Sequence, residues 1–262
     1  MKTIREIFGA GSRATMSLGW SGREEGYESS AARLSTALVL LSEKTGMRWY
    51  RDTEDLMSRK ATFVVVPTTP DALAGLLEES RNLDWGETAT SFTAFLSTGP
   101  ADNDLPAAAR IHITCGSPLD RWNKIHLALD DAFPLGSVSD AAVMFAEFVR
   151  IWQPDYARLS NSEVNATLPL TRASYISWTS AKAYTEPESE KEAAFAFGDG
   201  TLRVAREWTV DGIVGLNQAL TEAGAPQLSV RPKKQDTPQF PDELPEGLES
   251  LDHEVELAPQ GA

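Results

Sequence analysis

Hydrophobic positions change period more than once along the chain. Residues 14–20 read as a strand, and Ala31, Leu34, Leu38 and Leu41 then recur at helical spacing up to Gly46, with Ser29 or Ser30 as the expected cap. Residues 48–51 and 63–66 are short strand candidates. Thr69-Pro70-Asp71 predicts a second helix start, with Thr69 as cap, Pro70 in the first turn and Leu73, Leu76 and Leu77 as the buried stripe.

The period then shortens to two. Phe92, Ala94 and Leu96, then Ile111, Ile113 and Cys115, then Ile125, Leu127 and Leu129 predict three successive strands with one buried face. Ser139 is the expected cap of a long helix carrying Val143, Ala146, Val149 and Trp152 on one side, and Pro154 bars its continuation. Residues 175–179 form a further strand, and two strands meet at Gly198-Asp199-Gly200. Ile213, Leu216 and Leu220 mark a last helix ended by Gly224.

Strands in runs, broken irregularly by helices, predict an α+β fold with a largely antiparallel sheet packed with several helices. Residues 1–225 form the expected single domain. After residue 225 six prolines interrupt any long element and no Lys or Arg follows Lys234, so residues 226–262 are expected to be a mobile acidic tail. No internal repeat is present.

Charge narrows the partners. The chain has 24 Lys and Arg against 38 Asp and Glu, a formal charge of −14, which repels a polyanion and favours a basic partner. No basic stretch offsets it, so no direct nucleic-acid ligand is expected. Cys115 is the sole cysteine and excludes an internal disulfide. The first twenty residues hold no apolar segment of signal-peptide type and no apolar run is long enough for a bilayer, so the expected location is cytoplasmic, with no membrane association.

Candidate chemistry is sparse. Three histidines, His112, His126 and His253, with one cysteine in no recognised ligand spacing, argue against a metal site. No phosphate-binding loop is present and Gly9-Ala10-Gly11 precedes no convincing βα turn, so no cofactor is expected. An enzymatic alternative, a cytosolic hydrolase or transferase, would use Cys115 as nucleophile with His126 as base and Asp130 or Asp131 as orienter, or a carboxylate pair such as Glu24-Glu25. Alternation sets Cys115 on the buried stripe and leaves His112 and His126 either on the opposite face or ambiguous, which favours packing. Of seven tryptophans, Trp20, Trp152 and Trp178 lie within predicted elements and read as core, whereas Trp85 and Trp122 lie in polar loops suited to a partner surface.

Leu18-Gly19-Trp20-Ser21-Gly22-Arg23-Glu24-Glu25, followed by a helix and Arg48-Trp49-Tyr50, resembles the start of the immunity protein 52 family of bacterial polymorphic toxin systems. Cys115-Gly116, Trp152-Gln153-Pro154-Asp155-Tyr156, Tyr175-Ile176-Ser177-Trp178 and Gly198-Asp199-Gly200-Thr201-Leu202 follow in the same order, and the resemblance covers residues 14–224. Two departures are Trp20-Ser21, where family members tend to carry Trp-Gly, and the tail after Gly224. The resemblance implies no catalytic residue. It implies a protein that neutralises a cognate toxin by stoichiometric binding, often a restriction-endonuclease-like nuclease with a basic groove, delivered for instance by type VI secretion. The acidic loop residues Asp102, Asp104, Glu186, Glu188 and Glu190 are the expected partner-binding positions on charge grounds.

Overall fold

The computed structural model describes residues 1–23, 25–55, 60–81, 91–98, 108–117, 123–168, 171–184, 187–225 and 236–257. The order is α1 (Ile4–Phe8), β1 (Ala14–Trp20), α2 (Tyr27–Thr45), β2 (Trp49–Asp55), β3 (Lys60–Val65), α3 (Pro70–Glu79), β4 (Phe92–Thr98), β5 (Ala109–Cys115) and β6 (Asn123–Leu129). It continues with α4 (Val138–Trp152), β7 (Tyr156–Asn161), α5 (Ser162–Thr167), β8 (Ile176–Ser180), β9 (Glu192–Phe197), β10 (Gly200–Ala205), β11 (Glu207–Trp208), α6 (Val210–Glu222), a 3-10 turn (Leu248–His253) and β12 (Glu256–Leu257).

Among the described residues ten strands form one antiparallel sheet in the order β3-β2-β4-β5-β6-β1-β7-β8-β10-β9, so the fold is α+β. β1 lies in the middle, between β6 and β7, although it is the first strand in sequence. That placement makes Ala14–Trp20 the seam on which both halves of the sheet depend.

Local chemistry explains the helix ends. Gly46, at φ +69°, takes the left-handed turn that stops α2 and sends its N–H to the Ser42 carbonyl. Ser137 and Asp140 form a reciprocal capping box at the start of α4, two residues before the expected cap at Ser139. The long apolar stripe of α4 is buried at Ala146, Val149 and Trp152, but Val143 is exposed. Thr69 precedes α3 as expected, with Pro70 in its first turn, yet its side chain makes no capping bond.

One core runs through the molecule. Met16, Leu18, Ile111, Ile113, Ile125 and Leu127 face the helices, and Trp20 stacks on Trp152 of α4 at 6.0 Å between ring centres. Trp49 sends Nε1 to the Leu38 carbonyl of α2, tying that helix to β2.

Of the tail expected to be mobile, residues 226–235 and 258–262 lie outside the described residues, and the remainder departs from that expectation. Residues 236–257 are docked: Phe240 packs against Trp178 and Phe197, and Leu248 and Leu251 are buried in the core. The Asp242 carbonyl accepts from Arg150, the Ser139 N–H donates to Asp252, and β12 pairs with β11. Prolines and unopposed acidic residues signalled mobility, but three well-placed apolar side chains, Phe240, Leu248 and Leu251, anchor the strap.

Candidate functional site

Glu188 and Glu190 are exposed between β8 and β9, while Asp102, Asp104 and Glu186 lie outside the described residues, as do Trp85 and Trp122. Among the described residues no group of three or more His, Cys, Asp or Glu is placed to hold a metal ion, and no helix is long and apolar enough to cross a membrane.

The cysteine-based alternative is corrected by the structure. Cys115 is fully buried, burial pushes its thiol well above the ordinary value, and it faces Ser30 of α2. His126 pairs with His112 and Ser17 on the other face of the sheet, so the strand itself separates the base from the thiol. Asp130 is engaged by Arg13 at 3.1 Å and Arg110 at 3.3 Å, and Asp131 by Arg5 at 2.6 Å.

Residues from the motifs around Trp20 and Trp152 form an interlocked buried cluster at one end of the sheet. Asp155, with no exposed surface, accepts from the Ser21 N–H at 2.6 Å and pairs with Arg23 at 3.4 Å. The same residue's backbone N–H donates to the Gly19 carbonyl, and its carbonyl accepts from Ser180, so it joins β1 to the end of β8. Arg23 also donates to the Gln153 carbonyl at 2.5 Å. Arg33 bridges Gln153 at 3.0 Å and Glu25 at 2.8 Å. Burial lowers Arg23 from its ordinary value and Asp155 and Glu25 oppose that shift. Gln153 can serve here because it adopts a left-handed backbone at φ +48° just before Pro154, turning the chain out of α4. This cluster fixes the geometry of the sheet end.

A different set of residues faces outward. Opposite the core, the register aligns Phe95, His112, His126, Ser17 and Arg158 in one row across β4, β5, β6, β1 and β7. The next row holds Thr93, Thr114, Lys124, Gly19 and Tyr156. Phe95 is 63% exposed and stacks on His112 at 4.0 Å and 14°. Lys124 and His126 are also exposed.

This floor has a wall along β7. The Tyr156 ring lies over Gly19, and Arg158 donates to the Thr171 carbonyl at 3.0 Å, while Thr171 also bonds Asn217 of α6 at 2.5 Å. Desolvation, reinforced by Lys124 in both cases, lowers His112 and His126 from their ordinary value; Arg158 adds to the effect on His126. The two imidazoles are therefore neutral near pH 7 and can accept or donate hydrogen bonds to a partner. Sequence reasoning set both histidines on this face or left them ambiguous, and missed Phe95, Lys124, Tyr156 and Arg158. The available signal was the set of positions between the buried ones.

No protein-family model matches the chain and no curated protein aligns with it significantly. Among solved structures, it is similar to Pseudomonas aeruginosa T6SS protein PA0821, with 11% identity over 80% of this chain and 76% of that one and a TM-score of 0.48. It is also similar to a chain from the structure of the toxic C-terminal tip of CdiA from Pseudomonas aeruginosa in complex with immune protein, with 12% identity over 57% and 87% and a TM-score of 0.26. Both scores are below 0.5, and the function is read from this chain's own residues.

Proposed function

We propose that the chain is a cytoplasmic immunity protein that binds a cognate toxin and holds it inactive in a stoichiometric complex. The observation that carries this reading is the outer floor of β4, β5, β6 and β1, where Phe95 stands 63% exposed beside the exposed Lys124 and His126, while the other large aromatics among the described residues are mostly buried. Strands spaced about 4.8 Å apart and seven residues long give a floor of roughly 20 Å by 20 Å, about half of the ~800 Å² each partner buries in a standard interface. The floor would be the centre of such an interface, and surrounding loops its rim.

The resemblance to the immunity protein 52 family in the Trp20 and Trp152 motifs supports the same reading. In it the toxin is a restriction-endonuclease-like nuclease, delivered by type VI secretion, and the excess of acidic residues speeds capture of its basic groove. Glu188 and Glu190 are proposed contributors to that steering.

Co-expression tests the proposal. The C-terminal domain encoded by the neighbouring toxin gene should arrest growth alone, and this chain should restore growth and co-elute with it. A harmless neighbour, or rescue without complex formation, overturns direct neutralisation.

A further inference from the structure

We propose that the outer floor binds an acidic segment of a protein partner, with Lys124 and Arg158 taking its carboxylates and Phe95 taking an adjacent apolar side chain. The inference deepens the reading above and rests on this face being the docking surface.

Two unpaired cations carry the argument. In a chain with a net charge of −14, Lys124 and Arg158 have no carboxylate partner among the described residues, and the rows running from β4 to β7 contain no Asp or Glu. Arg110, at the margin of the same face, differs in being engaged by Asp130 at 3.3 Å. The central cations are therefore left without the neutralisation found at the edge.

Their arrangement is held in advance. Arg158 is half-buried, and its bond to the Thr171 carbonyl fixes the guanidinium along the wall while leaving other N–H groups for a ligand. Lys124 stands two residues from His126 on the same strand and the same face. Ser17 Oγ lies 3.5 Å from His126 Nδ1, which adds a hydroxyl between the two cations. A carboxylate in this space meets charge-assisted donors and, among the described residues of the two rows, no competing anion.

The partner class follows from the remaining features. Phe95 offers an apolar ring about two strands away from Lys124, suited to a side chain neighbouring the carboxylate rather than to a bare ion. A nucleic acid would bring many phosphates against the acidic remainder of the molecule, so a short acidic protein segment fits the local patch better.

The test uses the full chain and three probes: acetyl-Glu-Phe-Glu-Phe-Glu-amide, its lysine counterpart, and a single-stranded thymidine oligonucleotide. The acidic peptide should shift the NMR signals of Phe95, His112, His126 and Lys124 saturably, and Lys124→Glu should raise its Kd about ten-fold or more. Phe95→Ala should weaken it as well, with melting temperature unchanged in both variants. No saturable shift, equal binding of the lysine peptide, shifts centred on another face, or tighter binding of the oligonucleotide overturns the proposal. Co-expression with the toxin separates the two readings. If Lys124→Glu abolishes peptide binding but still protects cells and co-elutes, the anion site stands and the toxin docks elsewhere. If wild-type protein protects without binding the peptide, the immunity reading stands and the acidic-segment site is wrong.

Discussion

Tyr156 lies directly over Gly19 of the neighbouring strand: a β-carbon added to Gly19 would stand 2.8 Å from Tyr156 Oη and collide with the ring. Only a residue without a side chain lets the ring rest there, and the ring in turn buries the backbone of the central strand. The glycine of the Leu18-Gly19-Trp20 motif is thus a packing requirement of the wall beside the proposed site.

Gly19→Ala should therefore displace Tyr156 and cost about 1–3 kcal/mol through overpacking. Removing the obstacle should recover much of this, so Tyr156→Ala combined with Gly19→Ala should be less destabilised than the sum of the single changes. Urea unfolding of the four proteins checks it; strict additivity would mean that the two residues do not interfere.

Periodicity made much of the sheet legible. The alternating runs at Phe92, Ile111 and Ile125 marked β4, β5 and β6, and Gly198-Asp199-Gly200 marked the β9–β10 hairpin, because one buried face leaves a period of two. β7 was missed because Tyr156 and Arg158 occupy its outer positions beside a buried Ser160 and Asn161, which blurs the contrast. α1 and α5 are too short for a helical stripe. The outer floor was half legible: alternation allowed His112 and His126 there, but only strand order reveals that Arg158 joins the same row from a strand distant in sequence.

Cys115 should be inert in the native protein. With its thiol buried and pushed up, reaction with a thiol-modifying disulfide reagent should occur only at the rate of unfolding, and Cys115→Ser should retain toxin neutralisation. Fast stoichiometric labelling of the folded protein, or loss of protection in a folded Cys115→Ser variant, would restore the enzymatic alternative.

Breaking the buried ion pair should be far more damaging than altering a surface one. Asp155→Ala leaves Arg23 with only the more distant Glu25, at 3.9 Å, and the Ser21 N–H without its acceptor, and should cost about 3–5 kcal/mol. Arg51→Ala, which removes an exposed pair with Glu79 at 2.9 Å, should cost no more than about 1 kcal/mol. Chemical denaturation of both variants gives the comparison, and equal effects would remove the structural role assigned to the cluster.

The paired histidines should make the fold sensitive to mild acid. His126 is faced by Lys124 on its own strand, His112 and Ser17 on the flanking strands and Arg158 beyond, so among the described residues of this floor no carboxylate welcomes its proton. Both imidazoles are lowered below the ordinary 6.5 in the folded state, so below that value the unfolded chain binds more protons. Stability from this pair is present above about pH 6.5 and is lost as pH falls through the folded values. A His112→Gln, His126→Gln variant should show a smaller fall in melting temperature between about pH 7 and pH 5 than the parent. An identical fall would place the acid sensitivity elsewhere.

The docked strap makes the opposite prediction from a mobile tail. Leu251 is fully buried against the core, and the strap it anchors also carries Phe240 onto Trp178 and Phe197. Leu251→Ala should cost about 2–5 kcal/mol, the range for emptying a buried leucine site. Glu249→Gln, in the same 3-10 turn but exposed, should be nearly neutral. Removal of residues 236–262 should expose Trp178 and shift its fluorescence to longer wavelength, even with the toxin absent. If truncation leaves both stability and fluorescence unchanged, the strap is dispensable to the fold and its acidic surface must be explained by partner binding alone.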